Sequence, residues 1–248
     1  CRDDQFWQAA LLSKGWAPDW SPIELPGGMT PKAYYIMVCR MNDAHRAALL
    51  ELSHTTTSIK KMAFLECKLL ALTCLPDTLT TIHSYAFSGC TSLALTRLPE
   101  TITSIAEYSF ENCTSLVLAH LPSTLTEIVF GAFWNCTSLA LTELPSTLTE
   151  IGSYTFFGCR SLILVKLPDT ITTIDFAAFF GCTSLALKKL PDILTTIGSQ
   201  AFKKCTSLAL KRLPPNITTI GYGAFMDCPQ LHGGAFEKAA REINPTAI

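Results

Sequence analysis

Charge is scarce in this chain. Only 16% of its 248 residues are Asp, Glu, Lys or Arg, and the formal net charge is -1, so the strongly basic balance of a general nucleic-acid binder is missing. Apolar residues make up 48%, yet they never run together for the ~18 residues that a membrane-spanning helix needs. No nucleic-acid partner and no membrane insertion are expected, and the chain should be soluble. No C-x-x-C pair and no H-E-x-x-H occurs, and the five histidines are scattered, which removes the usual spacings of a metal site. Glycine is dispersed, with no P-loop and no G-x-G-x-x-G to cradle a phosphate, and there is no G-x-S-x-G nucleophile elbow. No catalytic, cofactor-binding or metal-binding residue can be named, and the chain is expected to be no enzyme.

What the chain has instead is repetition. Cys67, Cys90, Cys113, Cys136, Cys159, Cys182, Cys205 and Cys228 recur every 23 residues, and the unit around each recurs with it. A unit of this size buries its apolar face only against its neighbours, so a stack with one continuous core follows. Phe64, Phe87, Phe110, Phe133, Phe156, Phe179, Phe202 and Phe225 form one inward column, each with its cysteine three positions later and a leucine pair such as Leu93 and Leu95 beyond. The Leu-Pro steps, from Leu75-Pro76 to Leu213-Pro214, fix φ and remove a backbone donor, so they end a strand and begin a turn.

The spacing Cys90-x-x-Leu93-x-Leu95-x-x-Leu98, together with Ala-Phe-x-x-Cys and Leu-Pro, resembles the BspA-type leucine-rich repeat family over about residues 52 to 231. The resemblance implies an α/β leucine-rich-repeat solenoid of about eight 23-residue repeats, a right-handed superhelix with a curved parallel sheet along one side. It implies contact with other proteins, or adhesion, and no catalytic residues. The chain departs from the family at Thr96, where an aliphatic is more usual.

The strand is placed on the leucine pair, where residues flanking the leucines alternate outward. The outermost positions are Thr96 and Arg97, Ala119 and His120, Thr142 and Glu143, Val165 and Lys166, Lys188 and Lys189, and Lys211 and Arg212. Residues 52 to 165 hold five Lys and Arg against eight Asp and Glu, whereas residues 166 to 231 hold seven against four. A basic ridge of Lys166, Lys188, Lys189, Lys211 and Arg212 is therefore the candidate partner site, with Arg97 and His120 further along the same edge. Cations that repel one another on adjacent rungs suit an acidic protein partner. His120 is expected to face Glu143 as a cross-strand polar pair.

A second, Thr-rich strand is expected after each Leu-Pro, as at Thr78 to Ile82, and its threonines, such as Thr78, Thr80, Thr101, Thr103, Thr124 and Thr126, align in columns. They raise an ice-binding hydroxyl array as a remote alternative, although Ile193 and Asn216 break the first column. The laddered cysteines fall beside Phe and Leu, where a free thiol behaves as a small hydrophobe; reduced thiols are expected, which favours an intracellular setting over a secreted or surface one. Cys1, Cys39 and Cys74 lie outside the column, and three sequons begin at Asn112, Asn135 and Asn216.

Residues 1-51 do not follow the repeat and are expected to form a helical cap or linker, with a helix pattern at Gln5 to Leu12 and another opening at Asn42-Asp43 and running through Leu50. Residues 1 to 16 also resemble the closing helix of a truncated F-box, and the chain would be a substrate-recognition adaptor of a ubiquitin ligase if an F-box lies upstream. No initiator methionine and no basic, apolar signal segment is visible, which supports a fragment or processed chain. Residues 52-231 carry the repeats. In residues 232-248, Phe236, Ala239, Ala240 and Ile243 share one helical face, a capping helix that closes the last rung. The functional expectation is a non-enzymatic protein-protein interaction scaffold, monomeric and without cofactors; a surface adhesin is the alternative.

Overall fold

The structure, a computed structural model, describes residues 42–50, 52, 55–231 and 234–248. The expected helix at Gln5 to Leu12 and the F-box-like segment lie outside the described residues. Helix α1 spans Asp43–Leu50, and Asn42 caps it, its side-chain oxygen accepting from the His45 N–H at 2.8 Å. The side chain thereby satisfies one of the amides that a helix start leaves unpaired.

Eight two-residue strands follow: β1 Ser58–Ile59, β2 Thr81–Ile82, β3 Ser104–Ile105, β4 Glu127–Ile128, β5 Glu150–Ile151, β6 Thr173–Ile174, β7 Thr196–Ile197 and β8 Thr219–Ile220. All pairings are parallel, and isoleucine pairs with isoleucine, as Ile59 with Ile82 and Ile174 with Ile197. Strands β1 to β4 form one sheet and β5 to β8 another. We number the rungs first to eighth by their cysteines, from Cys67 to Cys228.

The paired strands therefore lie in the Thr-rich segment expected after each Leu-Pro and not on the leucine pairs. Leu93 and Leu95 are buried and Ala94 and Thr96 are not, so the alternation of faces holds as far as Thr96 and ends at Arg97, which is also exposed. Bonds between rungs there are intermittent, however. Ala94 N–H donates to the Leu72 carbonyl and Thr96 N–H to that of Thr73, both at 3.1 Å, but only some rungs repeat such a bond, and the leucines are held by packing instead. The paired strands are the Thr-Ile steps after each Leu-Pro.

A denser ladder runs along the Ala-Phe-x-x-Cys side. On the second rung the N–H groups of Tyr85, Phe87 and Gly89 donate to Glu107, Ser109 and Glu111 of the third at 3.0, 2.8 and 2.7 Å. This three-bond step is possible because the residues on either side of the buried Ala-Phe pair are left-handed: Tyr85 has φ 59° and Gly89 φ 76°. The same two positions stay left-handed from the first rung to the eighth.

The core is a set of columns. The eight phenylalanines have no exposed surface, and consecutive rings stack at 5.4–5.7 Å with planes 1–13° apart. Beside them, each thiol from Cys90 to Cys228 donates to the carbonyl of a phenylalanine on the preceding rung, as Cys159 Sγ to Phe133 O at 3.0 Å. Burial pushes the Cys67 thiol up to about 11 and that of Cys228 to about 12; the six between are raised further for the same reason.

At the C-terminal end, helix α2 (Ala235–Ile243) buries Phe236 and Ala240, and the Phe236 ring meets that of Phe225 edge-on at 5.1 Å. The chain then continues as a partial ninth rung. Thr246 and Ala247 carbonyls accept from Gly223 and Phe225 N–H at 2.7 Å, the bonds a next repeat would supply. The Asn244 side chain donates to the Ile220 carbonyl at 2.8 Å. Deleting residues 232 to 248 uncovers one aromatic face and two amides, a loss of about 4 kcal/mol from burial and hydrogen bonding. A melting temperature roughly 10 °C lower, or association through the opened end, is the expected result; an unchanged melt with no association beyond that of the full chain would refute it.

Candidate interaction surface

The seven cationic or titratable residues singled out above occupy the exposed edge beside the leucine pairs, but their charges are not equally available. Arg97 forks onto Asp77, with Nη1 to Oδ1 at 2.8 Å and Nη2 to Oδ2 at 3.3 Å, which holds the Asp77 carboxyl below its usual value. His120 Nδ1 lies 3.5 Å from Glu143 Oε1 with both side chains well exposed. Within the ridge, Lys189 Nζ bonds Asp192 Oδ2 at 2.9 Å and Arg212 Nη2 bonds Asp192 Oδ1 at 3.2 Å. The Lys189 bond, then the Arg212 charge, lowers the pKa of that carboxyl. Lys166, Lys188 and Lys211 remain, exposed and with no ion-pair partner among the described residues. Val165, 65% exposed, sits beside Lys166.

The threonine columns carry structural bonds. The hydroxyls of Thr101, Thr124 and Thr170 donate to the Leu79, Ile102 and Leu148 carbonyls at 2.5, 2.9 and 2.5 Å, and Thr147 does the same to Leu125. In the next column Thr126, Thr172 and Thr218 donate to Thr103, Thr149 and Thr195 at 3.1–3.2 Å. Hydroxyl protons committed to the frame are not free to order a water lattice. The sequon asparagines are engaged as well: Asn135 Nδ2 donates to Asn112 Oδ1 at 3.1 Å, and Asn216 Nδ2 donates to the Asp192 carbonyl at 2.9 Å.

A second surface escaped the sequence reasoning. The outer residues around the left-handed turns are aromatic on the middle rungs, and they form two adjoining rows. One runs Tyr85, Tyr108, Phe130, Tyr154, Phe176 with ring centroids 5.0–5.3 Å apart. The other runs Trp134, Phe157, Phe180 at 4.8 and 4.6 Å, and Trp134 stacks on Tyr154 at 4.7 Å to join them. All eight side chains keep part of their surface in solvent. The row ends in charge, because Lys203 and Lys204 hold their ammonium groups 5.9 and 5.7 Å from the Phe180 ring centre. A signal existed in the sequence, but it is spread over three different columns of the repeat.

Repeats matching the BspA type Leucine rich repeat region, in 6 copies, cover residues 45–159 and 129–248. The chain belongs to the BspA-type leucine-rich repeat family. Solved structures of bacterial leucine-rich repeat proteins share the fold. A leucine rich cell surface protein of Faecalibacterium prausnitzii is 26% identical with a TM-score of 0.56, the match covering 71% of this chain and 63% of that one. A leucine rich repeat protein of T. pallidum is 29% identical with a TM-score of 0.57, covering 68% and 78%. One from Eubacterium ventriosum is 27% identical with a TM-score of 0.51, covering 62% and 42%. The likeness thus spans under two thirds of the F. prausnitzii chain. No curated protein matches the chain. Leucine-rich repeat proteins are generally non-enzymatic scaffolds that bind other proteins, and no helix among the described residues of this BspA-type chain is long and apolar enough to cross a membrane.

Proposed function

We propose that the protein is a non-enzymatic interaction scaffold that binds an acidic segment of another protein along Lys166, Lys188 and Lys211. One observation carries the reading: these lysines project from three consecutive rungs with no ion-pair partner among the described residues, whereas Lys189 and Arg212 share the Asp192 carboxylate and Arg97, on the second rung, is paired with Asp77. Unpaired cations at regular spacing attract an extended anion and hasten its capture, and the attraction falls with salt. Membership of a family of protein-binding repeats supports a protein as the partner.

The test is the affinity of the full chain for a fluorescent oligoglutamate peptide, measured by anisotropy across a salt series. Replacing all three lysines with glutamate is expected to weaken binding at least tenfold and to flatten its salt dependence. Replacing Lys189 and Arg212 instead is expected to have a smaller effect. Equal affinity of wild type and triple variant would end the proposal. A surface adhesin is the second reading, favoured by the likeness to a cell surface protein, and it would use the same ridge on an acidic surface partner.

A further inference from the structure

The aromatic rows have an arrangement of charge about them that a chance surface would not need. On the third rung Glu107 and Glu111 stand beside Tyr108, and on the seventh Lys203 occupies the position of Glu111, with Lys204 next to it. The Glu111 carboxylate is held by the Ser88 hydroxyl, which donates to it at 2.9 Å. Neither lysine has an ion-pair partner among the described residues. The fifth rung, carrying Tyr154 and Phe157, lies midway between the acidic and basic ends.

We propose that two copies of this chain associate through the aromatic face, about a two-fold axis that passes beside Tyr154 and Phe157. Such an axis reverses rung order, so the third rung of one copy meets the seventh of the other, and the same contact recurs at the far side. Glu111 then faces Lys203 twice, with Lys204 beside it and Glu107 flanking the contact, while Phe130 and Trp134 of the fourth rung meet Phe176 and Phe180 of the sixth. A partner of another kind would need this bipolar pattern matched separately; a second copy matches it by symmetry. Aromatic side chains are the enriched anchors of interface centres.

Sedimentation velocity of the full chain between about 1 and 100 μM at low salt tests the idea. A concentration-dependent dimer is expected, weakened at least tenfold by Trp134→Glu with the circular dichroism melt retained. Glu107→Lys with Glu111→Lys, and separately Lys203→Glu with Lys204→Glu, should each give a monomer, and mixing the two variants should restore the dimer. On wild-type protein, zero-length carbodiimide cross-linking should join Glu111 to Lys203, which lie four rungs apart within one chain, about 20 Å at normal strand spacing. A monomer at every concentration, a dimer indifferent to Trp134→Glu, or a mixture that stays monomeric would each overturn the proposal and leave the face to a different occupant.

Discussion

Raising the pH from 8 to 10 in a reducing buffer is expected to destabilise this protein steeply, to the point of unfolding. The cause is the thiol column. In the unfolded chain a cysteine titrates near 8.5, whereas burial raises all eight laddered thiols, to about 11 for Cys67 and about 12 for Cys228. Each folded thiol thus holds its proton after its unfolded counterpart has lost one, so its contribution to stability is complete below about pH 8.5 and declines as pH rises. The decline is about 1.4 kcal/mol per thiol per pH unit. For the seven thiols from Cys90 to Cys228, each bonded to a carbonyl, the sum reaches roughly 10 kcal/mol per unit, comparable to the whole stability of an ordinary domain. Urea midpoints should therefore fall steeply above pH 9, and Cys159→Ala should make the fall shallower by one proton. A midpoint unchanged between pH 8 and 10 would show that these thiols are not buried as described.

Phe156→Ala, in the middle of the stack, is expected to cost about 3–5 kcal/mol. The ring has no exposed surface and stacks on Phe133 at 5.7 Å and Phe179 at 5.5 Å. Its removal leaves a void bounded by two flat rings that the backbone ladder holds apart, since Phe156 N–H is tied to Ala178 O at 2.8 Å; the gap cannot collapse. Phe157→Ala, one residue along and facing outward, should cost far less, and equal losses in urea denaturation would contradict the two facings.

The period of the sequence identified what stacks on what. Phe156, Cys159, Leu162 and Leu164 are buried as expected, because a residue at a fixed position in every repeat must meet its own kind in a solenoid. It said little about backbone conformation. A Thr-Ile step and a Leu-x-Leu step both look like strands, and only the bonds between rungs decide which is paired. The helix from Asp43 to Leu50 was legible from its asparagine cap and acidic start. The aromatic face was not, because Tyr108, Phe130, Trp134 and Phe176 belong to three different columns that fall side by side only after the turns bend left-handed. The ridge lost part of its charge for a related reason: Asp192 lies in the following turn, where the coil brings it back to Lys189 and Arg212.

Strand pairing lapses between β4 and β5, with two four-stranded sheets in place of one, and on the threonine side the Thr147 hydroxyl bond to the Leu125 carbonyl bridges the step instead. On the aromatic side Phe133 N–H still bonds Thr155 O across the division at 3.0 Å, so that side is the spine and the threonine side is the fore-edge. Hydrogen exchange on such a structure starts at the fore-edge, with the amides of rungs four and five becoming labile before those of the inner rungs on either side. Local opening then proceeds as the parting of two bound halves about a common spine, and ligands that clasp the spine slow it without touching the place where it begins.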